Sequence, residues 1–257
     1  MIKAVFLDFD GTLYSHSSGG VPSSTKEAIE KAERNGVKVV LCTGRLPRDI
    51  DRYNCRDIRF DGYIFLNGGL ICDSNLETIV NNPVTPEVKE KLVNLFNKKH
   101  FPISLGTKDG IYLNYVTDFV IESLGTISSK PDETGTYNGE DIMFAGMFYT
   151  DEMNYHYIDD IRPQVNEFFW ADKTSDVFSK NISKAIGIDY VLDHFQIDIS
   201  ETLCIGDGDN DIPMFDHCAI SVAMGNSSEG LKKRADHVTS DIDDDGIANA
   251  FRHYSLI

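Results

Sequence analysis

The sequence predicts an α/β protein, an open and mainly parallel sheet domain interrupted by a smaller α+β insert. Three observations carry that prediction. Short apolar runs alternate with amphipathic helical stretches near both ends of the chain, the pattern of a sheet covered on both faces. Around Asn81-Asn82-Pro83-Val84-Thr85-Pro86 the character changes to hairpin-like strand pairs with intervening helices. From about residue 180 the first alternation resumes.

The opening strand, Val5-Phe6-Leu7, breaks off at Asp8-Phe9-Asp10-Gly11-Thr12-Leu13. A strand period of two points Asp8 and Asp10 to one side, just where the chain must turn at Gly11. Like charges at that distance repel, so a metal ion, a lysine or both must offset them. A polar loop follows from Ser15 to Gly20. Ser23, Ser24 and Thr25 then offer caps for a helix carrying Ala28, Ile29 and Ala32 on one face, stopped by Asn35-Gly36. Val37 to Cys42 is a nearly continuous apolar strand ending in Thr43-Gly44-Arg45, and Pro47 suits the first turn of another helix. Tyr63 to Leu66 is a short strand ended by Asn67-Gly68-Gly69.

In the insert, Val88, Leu92, Leu95 and Phe96 mark one helix face. Strand-like runs from Phe101 to Leu105 and Ile111 to Tyr115 flank a turn at Lys108-Asp109-Gly110. A second set repeats this layout, with a strand from Ile142 to Tyr149, a helix near Glu152 to Ile161, and strands from Val165 to Trp170 and Asp176 to Phe178. The alternation resumes with a helix from Ile182 to Phe195 and a strand from Thr202 to Gly206. An acidic loop from Asp207 to Asp211, a helix opened by Pro213, and a strand from Ala219 to Val222 closed by Met224-Gly225-Asn226 complete it. Such a sheet collects its site at the strand C-termini.

A formal net charge of −17 repels nucleic acid and anionic lipid, so neither is an expected partner. A phosphorylated ligand would need a site that locally reverses the sign. The five cysteines lack CxxC spacing and read as buried thiols of a reducing compartment. No secretory leader and no apolar run of membrane-spanning length is seen, and a cytoplasmic location is expected.

Several familiar motifs fail on one residue each. Gly225 to Gly230 has Walker-A spacing, but Leu231 stands in the lysine position. Gly206-Asp207-Gly208 starts a dinucleotide fingerprint, yet Asp211 occupies the third glycine position. Asp241-x-Asp243-x-Asp245-Gly246 imitates half an EF-hand, with Arg252 where the bidentate glutamate belongs, and reads as a solvated helix N-terminus. The seven histidines include no motif-spaced pair and read as surface or satisfied core groups.

What survives is a dispersed set at strand ends and helix starts. Taken singly, Asp8-x-Asp10 is an ordinary turn, Thr43 a helix cap, Lys184 a surface lysine and Asp207 to Asp211 an acidic loop. Thr43 and Gly44, with backbone N–H groups at a helix start, would make a phosphate cradle. Arg45 and Asn67 face the same strand ends and suit a substrate contact and a structural role equally.

Together, Asp8-Phe9-Asp10-Gly11-Thr12-Leu13, Cys42-Thr43-Gly44-Arg45, Ser183-Lys184 and Gly206-Asp207-Gly208-Asp209-Asn210-Asp211 resemble the four ordered motifs of the haloacid dehalogenase-like (HAD) hydrolase superfamily. Asn67-Gly68-Gly69, the tail Met224-Gly225-Asn226…Ala235-Asp236…Thr239…Asp245-Gly246 and the place of the insert are similar to its Cof-like branch with a type IIB cap. The resemblance implies a Rossmann-like parallel-sheet core (residues 1–82 and 180–257) and an α+β cap (residues 83–179) that closes over the site. It also implies Asp8 as nucleophile and Asp10 as general acid, then base, through an aspartyl-phosphate. Mg²⁺ would be held by the Asp8 carboxylate, the Asp10 backbone carbonyl and Asp207, with Asp211 positioning the metal and its waters directly or through a neighbour. Thr43, Gly44, Lys184 and Asn210 would bind the phosphoryl oxygens.

The expected function is a Mg²⁺-dependent phosphatase of a small phosphorylated metabolite, a sugar phosphate or a flavin- or pyridoxal-type phosphate. A phosphomannomutase-like phosphosugar mutase shares the same motifs. A non-catalytic phosphometabolite-binding regulator would be signalled by loss of Asp8, Asp10, Lys184 or Asp207, and all four are present.

Overall fold

The structure, a computed structural model, describes residues 1–126, 129–131 and 134–257. Four residues of the predicted insert, Ile127, Ser128, Asp132 and Glu133, lie outside the described residues. The chain divides into two compact units, Met1–Asn81 with Ser183–Ile257, and Asn82–Ile182.

The first unit begins with β1 (Ala4–Leu7), α1 (Ser23–Arg34), β2 (Lys38–Cys42), α2 (Asp49–Arg52), β3 (Gly62–Phe65), β4 (Leu70–Asp73) and β5 (Thr78–Asn81). The second unit holds α3 (Pro86–Lys98), β6 (Ile103–Gly106), β7 (Ile111–Leu113), α4 (Asp118–Thr126), β8 (Phe144–Phe148), β9 (Val165–Ala171) and β10 (Thr174–Ser179). The chain then completes the first unit with α5 (Lys184–Phe195), β11 (Thr202–Gly206), α6 (Ile212–Phe215), β12 (Ile220–Ala223), α7 (Glu229–Lys232), β13 (His237–Val238) and α8 (Gly246–His253).

Among the described residues the first sheet has strand order β13-β12-β11-β1-β2-β3-β4-β5. The strands from β13 to β3 are parallel, and β4 and β5 add an antiparallel hairpin at one edge. β1 is central because all four of its residues are apolar and fully buried. Its neighbours pair in matched register, Leu7 with Leu41 on one side and with Ile205 on the other. Alternation sends Phe6, Val40 and Cys204 into a core shared with Ile188 and Val191 of α5 and Met214 of α6. Val5, Leu7, Val39 and Leu41 are buried on the opposite face, the side of α1 and α8. Close approach of α5 depends on Gly187, where a Cβ would lie 2.5 Å from Ile64 Cγ2.

The second unit is an antiparallel sheet of order β7-β6-β8-β10-β9 among the described residues. Val88, Leu92, Leu95 and Phe96 of α3 pack onto one face with Ile103, Leu105, Met147 and Val177. Thr85 caps α3, its hydroxyl accepting the Val88 N–H, and Pro86 occupies the first turn.

Some local expectations give way. The segment Glu152–Ile158 is a 3₁₀ stretch opened by an Asp151–Asn154 capping box, rather than an α-helix reaching Ile161. No helix begins at Gly44, and α2 starts only at Asp49. The β4–β5 hairpin and α4 carry too weak a periodicity to be read in sequence, β5 being largely exposed. Asp243 is not merely solvated, since its carboxylate accepts hydrogen bonds from Ser15, at 2.6 Å, and from Ser17. No helix of the described residues is long and apolar enough to cross a membrane.

Leu92, fully buried in the second unit, is a test of that packing. Leu92→Ala should destabilise the unit by about 2–5 kcal/mol. Urea denaturation followed by fluorescence of Trp170, the chain's single tryptophan, reports on this unit, and an unchanged midpoint would contradict the assigned core.

Candidate active site

Three parallel neighbours end side by side. β1 runs into Asp8, β2 into Thr43 and β11 into Asp207. The Asp8 N–H still donates to Ile205 O at 3.0 Å, so the ladder holds the backbone while the carboxylate stands at the sheet edge. The chain then turns at Gly11, whose φ of +73° disfavours any side chain. A Cβ at Gly11 would also lie 2.3 Å from Asp207 Oδ2. Thr12 Oγ1 donates to Asp207 Oδ1 at 2.8 Å, and Asn226 Nδ2 donates to Gly11 O at 2.7 Å. The turn after β1 is thereby tied to the loops after β11 and β12.

Lys184 enters from the first turn of α5, where Ser183 Oγ accepts the Ile186 N–H at 3.2 Å. Its ammonium is fully buried and donates to Asp8 Oδ1 and, at 2.5 Å, to Asp211 Oδ1. Asp211 Oδ2 accepts the N–H groups of Asp207 and Gly208 at 2.9 and 3.0 Å. Both Asp211 oxygens are therefore engaged within the protein. Asp8, Asp207 and Asp211 each bring one carboxylate oxygen to within 4.8 Å of the others.

Three carboxylates and one ammonium leave a formal charge of −2 in a largely buried space. Burial, then the charge of Asp211, pushes the Asp8 carboxyl well above its ordinary range, against the pull of Lys184. Burial raises Asp207 to about 6, although the Thr12 hydrogen bond acts the other way. For Lys184, burial opposes the charged form, but Asp211 and Asp8 outweigh it and hold the ammonium above its usual value. The donor set is all hard oxygen and the uncompensated charge equals that of a divalent cation, so the residues fit Mg²⁺ better than a soft metal.

The other candidates are placed differently. Thr43 is buried, its N–H donating to Ile64 O at 2.8 Å and its hydroxyl accepting the Arg45 N–H at 3.1 Å. Gly44 lies in a turn against Asn67, whose side-chain atoms would be 3.1 Å from a Cβ there. Asn67 has φ +53°, and its buried Oδ1 has no hydrogen-bond partner among the described residues. Asn210 is exposed on the 3₁₀ turn Asp209–Asp211. The Asp10 carboxylate stands outside the buried acidic group and is gripped by Arg45, Nε to Oδ2 at 2.7 Å and Nη2 to Oδ1 at 2.6 Å. His16, read from sequence as a surface or core histidine, places Nε2 2.7 Å from Asp10 Oδ1. No motif in the sequence signals it, because a fold-back at Tyr14 returns it to Asp10.

An acid whose folded-state pKa is raised gains folded stability as it takes up its proton. With Asp207 near 6 and the unfolded value near 3.8, metal-free protein should melt at higher temperature at pH 5.5 than at pH 7.5. Asp207→Asn should shrink that rise, and saturating Mg²⁺ should reverse its sign, because a cation favours the ionised carboxylates. Thermal melts in EDTA and in Mg²⁺ across this range check both.

The family model described as haloacid dehalogenase-like hydrolase matches residues 5–251. The protein named "Putative phosphatase YkrA" of Bacillus subtilis is 30% identical over 99% of this chain and 98% of its own length. The phosphatase BT1666 from Bacteroides thetaiotaomicron superposes with a TM-score of 0.89 at 28% identity, covering 100% of this chain and 96% of that one. BT4131, described as a HAD subclass IIB sugar phosphatase, superposes with a TM-score of 0.83 at 32% identity, covering 99% of this chain and all of that one. With strands, buried acids and lysine arranged as described, the chain belongs to the haloacid dehalogenase-like hydrolase family and is a phosphoric monoester hydrolase.

Proposed function

We propose that this enzyme is a Mg²⁺-dependent phosphatase of a small phosphorylated metabolite, working through an aspartyl-phosphate on Asp8. The observation that carries the reading is the fully buried Lys184 bound to Asp8 and Asp211 beside Asp207. An ammonium there orients the Asp8 carboxylate and offsets the charge that an incoming phosphoryl group adds.

Asp8 attacks phosphorus, the bond from phosphorus to the ester oxygen breaks, and the departing alcohol takes the proton of Asp10. Water then attacks the phosphoryl group and passes a proton to Asp10. The Asp8–phosphorus bond breaks, the electron pair returns to the Asp8 carboxylate, and phosphate leaves. Thr43, Gly44 and Asn210 are assigned to the phosphoryl oxygens together with Lys184. Asp8, the Asp10 backbone carbonyl and Asp207 would hold Mg²⁺, which when bound neutralises the acids and polarises the phosphoryl group. Asp211, with one oxygen on Lys184 and the other on two backbone N–H groups, is assigned to orienting that set rather than to direct ligation.

A small-metabolite substrate is supported by the relatives. BT4131 is a sugar phosphatase, and a Bacillus subtilis relative 24% identical over 99% of this chain and 96% of its own length is a 5-amino-6-(5-phospho-D-ribitylamino)uracil phosphatase. Sugar phosphates and flavin- or pyridoxal-type phosphates are accordingly the substrates to test first.

Phosphate release across a panel of metabolite monophosphates with Mg²⁺ should reveal turnover that vanishes in Asp8→Asn and in excess EDTA. Full metal-dependent activity in Asp8→Asn would falsify the mechanism. Lys184→Met should lower kcat by about 10²–10³-fold, the scale of removing one electrostatic stabiliser.

A further inference from the structure

We propose that His16 is a positioning residue for Asp10, acting with Arg45 to fix its rotamer and to reserve Oδ2 as the oxygen that carries the proton. The inference rests on the reading of Asp10 as the proton shuttle.

A carboxylate oxygen accepts about two hydrogen bonds in its plane. Asp10 Oδ1 accepts from Arg45 Nη2 at 2.6 Å and lies 2.7 Å from His16 Nε2, and because an ionised carboxylate can only accept, Nε2 is the donor when Asp10 acts as base. Among the described residues Oδ2 receives one hydrogen bond, from Arg45 Nε at 2.7 Å. Arg45 alone would give each oxygen one N–H, Nε to Oδ2 and Nη2 to Oδ1, at nearly equal distances. His16 breaks that symmetry by filling Oδ1, and leaves on Oδ2 the accepting position that a water proton needs.

The placement of His16 is built rather than incidental. The Asp10 side chain is 40% exposed and the His16 side chain 38%, so neither is trapped by packing alone. Instead the loop is pinned on both sides of the histidine. Ser15 donates to Asp243 Oδ1 at 2.6 Å, Ser17 donates to Asp243 Oδ2, and the Ser15 N–H donates to Gly20 O at 2.9 Å. An aromatic nest seats both donors. The Arg45 guanidinium lies 4.2 Å from the centre of the Tyr53 ring and 5.4 Å from that of Phe9. The His16 ring meets Tyr14 edge-on at 5.2 Å, and Tyr14 stacks on Phe9 at 5.5 Å. A loop that served only as a connection would not need an aspartate from a 3₁₀ turn near the far end of the chain to hold the residues on either side of one histidine.

The step served is the second one. As water attacks the phosphoryl group on Asp8, its proton passes to Asp10 Oδ2, the Asp8–phosphorus bond breaks, and the electron pair returns to Asp8. A freely rotating Asp10 would present the wrong oxygen for part of the time, which lowers kcat and leaves substrate binding alone.

Steady-state turnover of p-nitrophenyl phosphate in Mg²⁺ tests this with His16→Ala, His16→Gln, Asp10→Ala and the double variant, each checked by thermal melting. His16→Ala should lower kcat about 5- to 20-fold with KM within twofold, and His16→Gln, which keeps an N–H donor, should recover most of the loss. In the Asp10→Ala background, His16→Ala should have no further effect. An unchanged or raised kcat in His16→Ala, a loss confined to KM, a His16→Gln no better than His16→Ala, or an undiminished effect of His16→Ala without Asp10 would each overturn the inference. Full activity in Asp10→Ala would instead remove the shuttle role on which it rests.

Discussion

The ammonium of Lys184, enclosed between Asp8 and Asp211, is the interaction on which the site depends. Removing an ammonium and carboxylates from water costs several kcal/mol per ion, and only close pairing with further hydrogen bonds offsets it. Every element around the site serves that pairing. β1 sets Asp8, β11 and its tight turn set Asp207 and Asp211, and the start of α5 aims Lys184 inward. Asp211 does the linking: one oxygen meets Lys184, the other closes the turn on the N–H groups of Asp207 and Gly208. With one ammonium for three acids the cluster stays short of two positive charges, a deficit that a divalent cation would fill before an anionic phosphoryl group enters.

The sheet order explains why such separated residues meet. β1 lies between β2 and β11, so the chain leaves the first strand on one side and reaches its other neighbour only after the second unit. At that switch point the parallel strands deliver their C-terminal residues to one edge, where ligands of open α/β sheets bind. Gly11 is needed there twice over, for its positive φ and because a side chain would strike the Asp207 carboxylate. Asp10 belongs to a second, more exposed layer, governed by Arg45 and His16 rather than by the lysine.

Legibility followed the strength of the local signal. The central strands were readable because burial on both faces makes them continuous apolar runs, as Val39 to Cys42 shows. The β4–β5 hairpin was not, since an edge strand with Ile79 exposed has no apolar period to detect. The stretch from Glu152 carries a true helix-start signature, Asp151 with Asn154, yet the backbone takes the tighter 3₁₀ form that a capping box does not distinguish. The turn after Thr43 is similar: Pro47 suits a helix start, but Asn67 and Ile64 bind the Thr43 backbone and hold the segment out of a helix until Asp49.

What the sequence by itself determined is the chemistry available. Paired acids at Asp8 and Asp10, a lysine behind a serine cap and an acidic loop after an apolar strand are each ordinary alone, and it is their ordered resemblance to the motifs of a hydrolase family that implies the reaction class. What only the tertiary structure decided is which partner each group keeps. That Asp211 is spent on Lys184 and a backbone turn, that Asp10 is held by Arg45 and His16, and that the Asn67 oxygen beside Gly44 has no partner among the described residues follow from chain segments meeting across the sheet edge. The physical reason is that hydrogen bonds and ion pairs of this length are set by through-space distance to a few tenths of an ångström, which no pattern along the chain encodes.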